Sequence, residues 1–287
     1  MLSRGRLGSV LLPENIQKLR VSLIEMRATS TVNHYLATLA GFLGWCEANG
    51  YCRPGLANAC TRVEMTDREP DPLTKAELDA FLTKGCLHPM DRAAVTLAVY
   101  TGLRPGELGA LAREDINLVK GQIHVSRAIT SRGTFKLPKT GKKRIVLLFP
   151  PALDACKELL ATEHGIEPQT ITVQLTRHES LRETVTPLIS PAVQARRKKV
   201  NPWLITTPWN STRANIQRRA KIRPHRPYQP RHTYACWCLV ARGNLAFIAK
   251  QMGHKDFTML VQVYAKWMDD ESPSELQHIW AGMQKAA

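Results

Sequence analysis

The sequence predicts a mainly α (α+β) chain, in which a helical amino-terminal module precedes a larger helical domain carrying one small three-stranded antiparallel sheet. Three observations lead there. Apolar residues recur every three to four positions over residues 13–50 and again beyond residue 73, the period of amphipathic helices. Between those runs, residues 64–72 are acidic, bear two prolines and lack apolar periodicity, which is the composition of a linker. Around residues 123–148 β-branched residues alternate between turn signals. A chain of 287 residues is long enough for two cores. The domains are expected at 1–67 and 73–287, with 68–72 joining them.

Taking the elements in order, Ile16, Leu19, Leu23 and Met26 follow Pro13 at helical spacing, and Tyr35, Leu36, Leu39, Phe42 and Trp45 follow Thr29-Ser30-Thr31. Asn49-Gly50 suits a left-handed helix cap. The module should hold three or four helices over residues 1–63. In the second domain, Thr74 and Glu77 form a capping box that opens a helix. Residues 90–100 compose a buried helix that stops at Thr101-Gly102. Pro105 then begins another, because the first helical position needs no amide hydrogen bond, so Arg104 is held at a junction. Glu107, in the first turn, is placed to orient a guanidinium or to cap the helix. An ordinary helix break with a surface arginine is an equal reading of those residues.

Strands are expected at Ile123–Ser126, at Phe135–Leu137 and at Arg144–Leu148, in a three-stranded antiparallel meander with a tight turn at Lys139-Thr140-Gly141-Lys142. A hairpin lysine can reach a neighbouring site; Lys142 and Lys143 fit the plainer task of protecting a sheet edge. A helix spans 151–162, residues 163–200 show little periodicity, and 170–176 has strand composition. Asn210 or Ser211 can cap a helix over 212–221, on which Arg213, Arg218, Arg219 and Lys221 would face a phosphate backbone. Helices follow from His232 to Ala241, with Arg231 at the amino-terminal edge, then from Leu245 to Met252, closed by Gly253, and from Phe257 towards Tyr264.

Charge narrows the function. The chain has 40 Lys and Arg against 24 Asp and Glu, a net +16, and residues 104–287 carry +15 of it. Residues 184–255 hold 14 basic side chains, among them Arg196, Arg197, Lys198 and Lys199, and no acidic one. A solvated face mixes signs, so this run points to nucleic acid. No run of 18 apolar residues or signal-peptide core is present, which disfavours a membrane role. Seven cysteines without a CxxC pair fit buried thiols in a reducing cytoplasm. Cys236 and Cys238 sit two apart on a helix, where they point to different faces, so packing is preferred to a metal site and no metal or cofactor is expected.

The densest chemistry lies between Arg223 and Trp267. An arginine at a helix start, a histidine after a glycine stop and a tyrosine one short helix later suit the holding of a phosphodiester while a phenol attacks it. With T-G-L-R-P-G-E-L at residues 101–108, the hairpin K-T-G-K-K-R, R-H-T-Y-A, Q-M-G-H and V-Y-A-K-W in this order, residues 73–268 resemble the catalytic domain of the tyrosine recombinase (phage integrase) family. The resemblance implies a site-specific DNA recombinase that cuts and rejoins DNA through a covalent 3′-phosphotyrosyl intermediate without metal or ATP. Arg104 and Arg231 match the two arginines that clamp the scissile phosphate, and Glu107 their acidic support. Lys139 matches the lysine that protonates the leaving 5′ oxygen, His254 a histidine that donates to the phosphate, and Tyr264 the nucleophile.

The family usually has histidine three residues before the second arginine; here Tyr228 stands there. A phenol of pKa about 10 is a weaker base than an imidazole of about 6.5. Which group takes the proton from Tyr264 is therefore open, and a cationic cluster is expected to help that phenol ionise. The resemblance further implies that residues 1–67 bind core-type DNA, that the domains close around a duplex as a homo-tetramer, and that DNA-bending and excision proteins assist. Leu276, Ile279 and Trp280 would dock the tail on a neighbouring protomer. Many relatives carry a further amino-terminal domain for arm-type sites, not visible here; either core sites suffice or the amino terminus is incomplete. A type IB topoisomerase and a non-catalytic DNA-binding relative are the rival classes.

Overall fold

The computed structural model describes residues 11–65, 70–162, 167–190, 201–204, 206–264, 280 and 283–284. Arg196, Arg197, Lys198, Lys199, Leu276 and Ile279 lie outside these residues. The chain divides into two compact units, Met1–Arg68 and Glu69–Ala287.

In the first unit, α1 (Pro13–Met26) and α2 (Thr29–Ala48) pack together, and Ile16, Leu43 and Leu56 form the buried centre. The described residues give two helices and one short 3-10 turn (Ala57–Ala59); the first ten residues of the expected three- or four-helix module lie outside them. Beyond that turn residues 60–65 form no helix: Asn33 exchanges two 2.8 Å bonds with the Val63 backbone, and Gln17 donates to Ala59 O. The buried stripe of α2 is Val32, Leu36, Leu43 and Cys46; Tyr35, Phe42 and Trp45 are exposed. The aromatic period therefore marks the outer face, one step around the helix from the expected one.

The second unit begins with α3 (Lys75–Ala80), capped by Thr74 and Glu77 in the predicted box. Its last turn widens into a π-helical turn at Phe81–Gly85, where a Cβ on Gly85 would meet the Ile216 side chain at 2.7 Å. α4 (Pro89–Thr101) is the central helix, with ten of its residues buried, and stops at Gly102 in the left-handed region (φ 62°). α5 (Pro105–Gly109) follows at once.

The small antiparallel sheet is present with a different membership from the predicted meander. Its strands are β1 (Ile116–Asn117), β2 (Gln122–Val125) and, after two strands of another sheet, β5 (Arg144–Leu147), in the order β1-β2-β5. Ile123 pairs with Val146, and both are fully buried. Residues 135–136 do not join them. They form β4 of a second sheet, ordered β3 (Ala128–Ile129), β4 (Phe135–Lys136), β6 (Gln169–Gln174), β7 (Ser180–Val185), with β4 and β6 parallel. The Phe135 ring stacks edge-on against Trp203 at 4.9 Å, and this contact draws the strand away from β5. The weakly periodic region thus contains a six-residue antiparallel ribbon whose outer face is polar and whose inner face is Ile171, Val173 and Val185.

α6 (Pro150–Ala161) covers the back of α4. α7 runs over Thr206–Ala220, six residues earlier than predicted, and is followed by α8 (Gln229–Val240), α9 (Leu245–Met252) and α10 (Thr258–Tyr264). Asn244 caps α9 by accepting from Phe247 N at 3.0 Å, and Gly253 (φ 68°) closes it. α8, α9 and α10 share a core of Tyr234, Ala235, Cys236, Leu239, Ile248, Met252, Leu260 and Tyr264. No helix among the described residues is long and apolar enough to cross a membrane.

Candidate active site

Three chain stops bring the candidate residues together. The first is the α4–α5 junction, which leaves Arg104 in extended backbone (φ −69°, ψ 149°) while Glu107 reaches back to accept from Arg104 N at 2.9 Å. The second is the α9 cap. Its exposed carbonyls, Met252 O and Gly253 O, accept from Arg104 Nη1 (3.4 Å) and Nη2 (3.1 Å), so a helix carboxyl end anchors a cation. The third is the start of α8: Arg231 is the third residue of that helix, inside its first turn rather than at its edge, and donates to Gly102 O beyond α4.

Glu107 is the hub. Its side chain is 1% exposed and its carboxylate accepts from Arg104 Nη1 at 3.0 Å and from Arg144 Nη1 and Nη2 at 3.0 and 2.7 Å. Burial alone would raise the Glu107 carboxyl, but bonds and charge from Arg144, helped by the Arg104 amide and guanidinium, hold it below the usual value. Arg144 is the residue the sequence reading passed over, although it closes the quoted K-T-G-K-K-R. On β5 it shares a face with buried Val146, while Ile145 and Leu147 point outwards. Register, not apolarity, was the available signal: i and i+2 share one face of a strand. Its Nε donates to Gln251 O at 3.0 Å, tying β5 to α9.

His254 follows the Gly253 cap and lies 2.8 Å through Nε2 from Arg231 Nη2. A guanidinium can only donate, so Nε2 accepts and the neutral ring carries its proton on Nδ1. That Nδ1 is buried with no partner among the described residues. Burial, then Arg231, Arg104 and Arg144, push the imidazole down to about 4, so it is neutral at physiological pH. Arg231 is itself pushed down to about 10, by burial first and then Arg104, and remains a cation. One carboxylate facing three guanidiniums leaves an uncompensated positive charge in a partly desolvated pocket, and an anion with several acceptor oxygens would satisfy it.

Tyr264, 3% exposed, ends α10, and its hydroxyl lies 2.5 Å from His232 Nδ1 on α8. Burial and Cys236 push the phenol up, and Arg231 only partly opposes them. The expected help from the cationic cluster is thus outweighed by desolvation in this arrangement. His232 was within the quoted R-H-T motif but was given no part; that residue and the short helix end 32 positions later become neighbours only through packing of α8 on α10.

Other candidates stand apart. Lys139 is exposed on the Pro138–Gly141 turn, where Gly141 N donates to Pro138 O at 2.7 Å, and among the described residues no hydrogen bond joins it to the arginines. Tyr228 is 50% exposed and serves α8 through its carbonyl, which accepts from Arg231 N and His232 N; its hydroxyl makes no hydrogen bond to the cluster among the described residues. Of the proposed phosphate face, Arg218, Arg219 and Lys221 are exposed. Arg213 is not: with Ile216, Gln217 and Ala220 it forms the inward stripe of α7, donating to His225 O. The helical period places residue 213 opposite residues 218 and 219, which corrects its assignment.

Residues 73–271 match the sequence model of the phage integrase family. The prophage integrase IntR of Escherichia coli (strain K12) is 34% identical over 87% of this chain and 60% of its own length. IntQ of the same strain, described as a defective protein, is 33% identical over 87% of this chain and 63% of its own. The chain therefore spans somewhat less than two thirds of these relatives. Among solved structures, the Tn1549 transposon integrase in complex with a circular intermediate DNA superposes with a TM-score of 0.73 at 16% identity, over 98% of this chain and 87% of that one, a likeness of fold. With this match and the Arg104, Glu107, Arg231, His254 and Tyr264 grouping in place, the chain belongs to the phage integrase family.

Proposed function

We propose that this protein is a site-specific DNA recombinase of the prophage or mobile-element type, joining DNA through a 3′-phosphotyrosyl intermediate without metal or ATP. The observation that carries the reading is the convergence of Arg104, Arg231 and His254 near the buried Tyr264, with more positive charge than Glu107 neutralises. Charge builds on the equatorial oxygens of phosphorus as the phenol attacks. Fixed guanidiniums aimed at those oxygens stabilise that state without reorganising, and removing one such donor typically costs about 10²–10³ in rate. Arg104 and Arg231 clamp the phosphate, His254 donates to it through Nδ1, and Lys139 reaches in from its turn to protonate the leaving 5′ oxygen.

The substrate class is double-stranded DNA, as in the Tn1549 integrase complex. Arg218, Arg219 and Lys221, with Arg196, Arg197, Lys198 and Lys199, follow its backbone. Residues 1–67 form the core-type DNA-binding domain, four protomers assemble on two sites with the carboxy-terminal tail as the link, and DNA-bending and excision proteins act with them in the bacterial cytoplasm, at the nucleoid. A non-catalytic DNA-binding role is the second reading, favoured by Tyr228 in place of the usual histidine and by likeness to IntQ.

One experiment separates them. The chain is incubated with a pool of nicked duplexes of randomised core sequence, and protein–DNA adducts are captured under denaturing conditions. Adducts that survive EDTA and vanish in Tyr264→Phe support the recombinase. Binding without adducts supports the second reading.

A further inference from the structure

We propose that His232 is a catalytic residue of this protein, accepting the phenolic proton of Tyr264 through Nδ1 as the hydroxyl attacks, in place of the group missing at position 228. The inference rests on the reading of Tyr264 as nucleophile.

Four observations carry it. His232 Nδ1 is 2.5 Å from Tyr264 Oη, within reach for direct proton transfer. The rings lie 5.7 Å apart at 55°, so they meet edge to edge through these two atoms rather than by stacking. The residue three positions before Arg231, Tyr228, is half exposed and makes no hydrogen bond to Tyr264. His254, the other imidazole, has Nε2 committed to Arg231. Among the described residues His232 is thus the base in contact with the hydroxyl. The charged and titratable groups around the pair are Arg231 and Cys236 on the helix of His232 and Tyr264 itself from α10. Burial first, then Arg231, push His232 below its usual value, which keeps the ring neutral and able to accept. The same burial holds the Tyr264 proton in place until a base removes it.

The step balances. A bond forms between Tyr264 Oη and phosphorus, and the phosphorus–O5′ bond breaks with its electron pair leaving on the 5′ oxygen. The phenolic proton passes to His232 Nδ1, and the 5′ oxygen takes a proton from Lys139. Reversal with a new 5′ hydroxyl returns both protons, so His232 would protonate the leaving phenol during rejoining.

The test uses nicked duplexes recovered by covalent capture with the wild-type chain. Single-turnover adduct formation is followed against pH for wild type, His232→Asn and His232→Ala. Asparagine keeps an acceptor oxygen near the place of Nδ1 but cannot carry the proton. The wild-type rate should fall in acid as His232 protonates and level off above its pKa. His232→Asn should be slower by roughly 10²-fold near neutrality. Its rate should lose the plateau and climb about tenfold per pH unit through neutrality towards alkali, as phenolate replaces the missing base. Unchanged binding of the same duplexes marks a folded variant, and where the alanine chain fails that check, the asparagine chain decides. A wild-type rate and profile in His232→Asn would overturn the proposal, leaving the contact structural. A faster variant would also overturn it, because the bond would then be restraining the hydroxyl. Failure of the nucleophile reading is distinguishable: wild type itself would capture no DNA, and the proposal would fall with it.

Discussion

Replacing Glu107 by Gln tests whether the cluster is organised as described. The wild-type carboxylate accepts four bonds, one from the Arg104 amide at 2.9 Å, one from the Arg104 guanidinium at 3.0 Å and two from Arg144 at 3.0 and 2.7 Å. An amide of the same shape keeps one acceptor oxygen and turns an N–H donor towards guanidinium donors. At least two charge-assisted bonds are lost, each worth about 1.5–3 kcal/mol. Two partly buried cations then stand without their counter-charge, a defect that costs about 3–5 kcal/mol when one partner of a buried pair is removed. A loss of about 3–5 kcal/mol is therefore expected, a large share of the roughly 5–15 kcal/mol that holds a domain folded. Urea unfolding followed by circular dichroism should show a lower midpoint at unchanged slope. The Glu107 carboxyl titrates below its usual value, so its contribution is present above the unfolded-state pKa and is lost as pH falls through the folded one. The gap between wild type and variant should accordingly narrow in acid. A loss under about 1 kcal/mol at neutral pH, or a gap that widens on acidification, would refute the hub.

Three further outcomes follow from particular contacts. Arg144→Lys should lose about 1–3 kcal/mol, since an ammonium cannot bridge both Glu107 oxygens and also reach Gln251 O; the same urea titration measures it. Gly253→Ala should weaken the fold and slow adduct formation, because residue 253 has φ 68° and a new Cβ would sit 2.9 Å from the Arg144 guanidinium; paired unfolding and adduct assays check it. The exposed Arg218 and the buried Arg213 should separate in DNA binding: Arg218→Ala should reduce the slope of log affinity against log salt by about 0.9 per lost phosphate contact, whereas Arg213→Ala should lower stability and leave that slope alone.

Much of the candidate site was legible in the residues. Helix stops are local chemistry: Gly102 and Gly253 both take the left-handed conformation a helix end demands, and Pro105 starts the next helix where no amide bond is needed. Because Arg104, Glu107 and His254 lie at or beside such stops, their local positions could be read before any fold was known, while the roles proposed for them come from the resemblance. The acid-free run and the capping box at Thr74 are likewise properties of the chain itself. Only the tertiary structure decided the rest. Strand membership depended on whether Phe135 found Trp203 or β5, a choice between distant partners that alternation cannot express. Which face of a helix is buried depended on what packs there, so Tyr35, Phe42 and Trp45 turned outwards and Arg213 inwards. Above all, Arg144 entered the cluster through sheet register, and His232 met Tyr264 through the packing of two helices. Local sequence governs conformation over a few residues, whereas both of these neighbours are made by contacts across the fold.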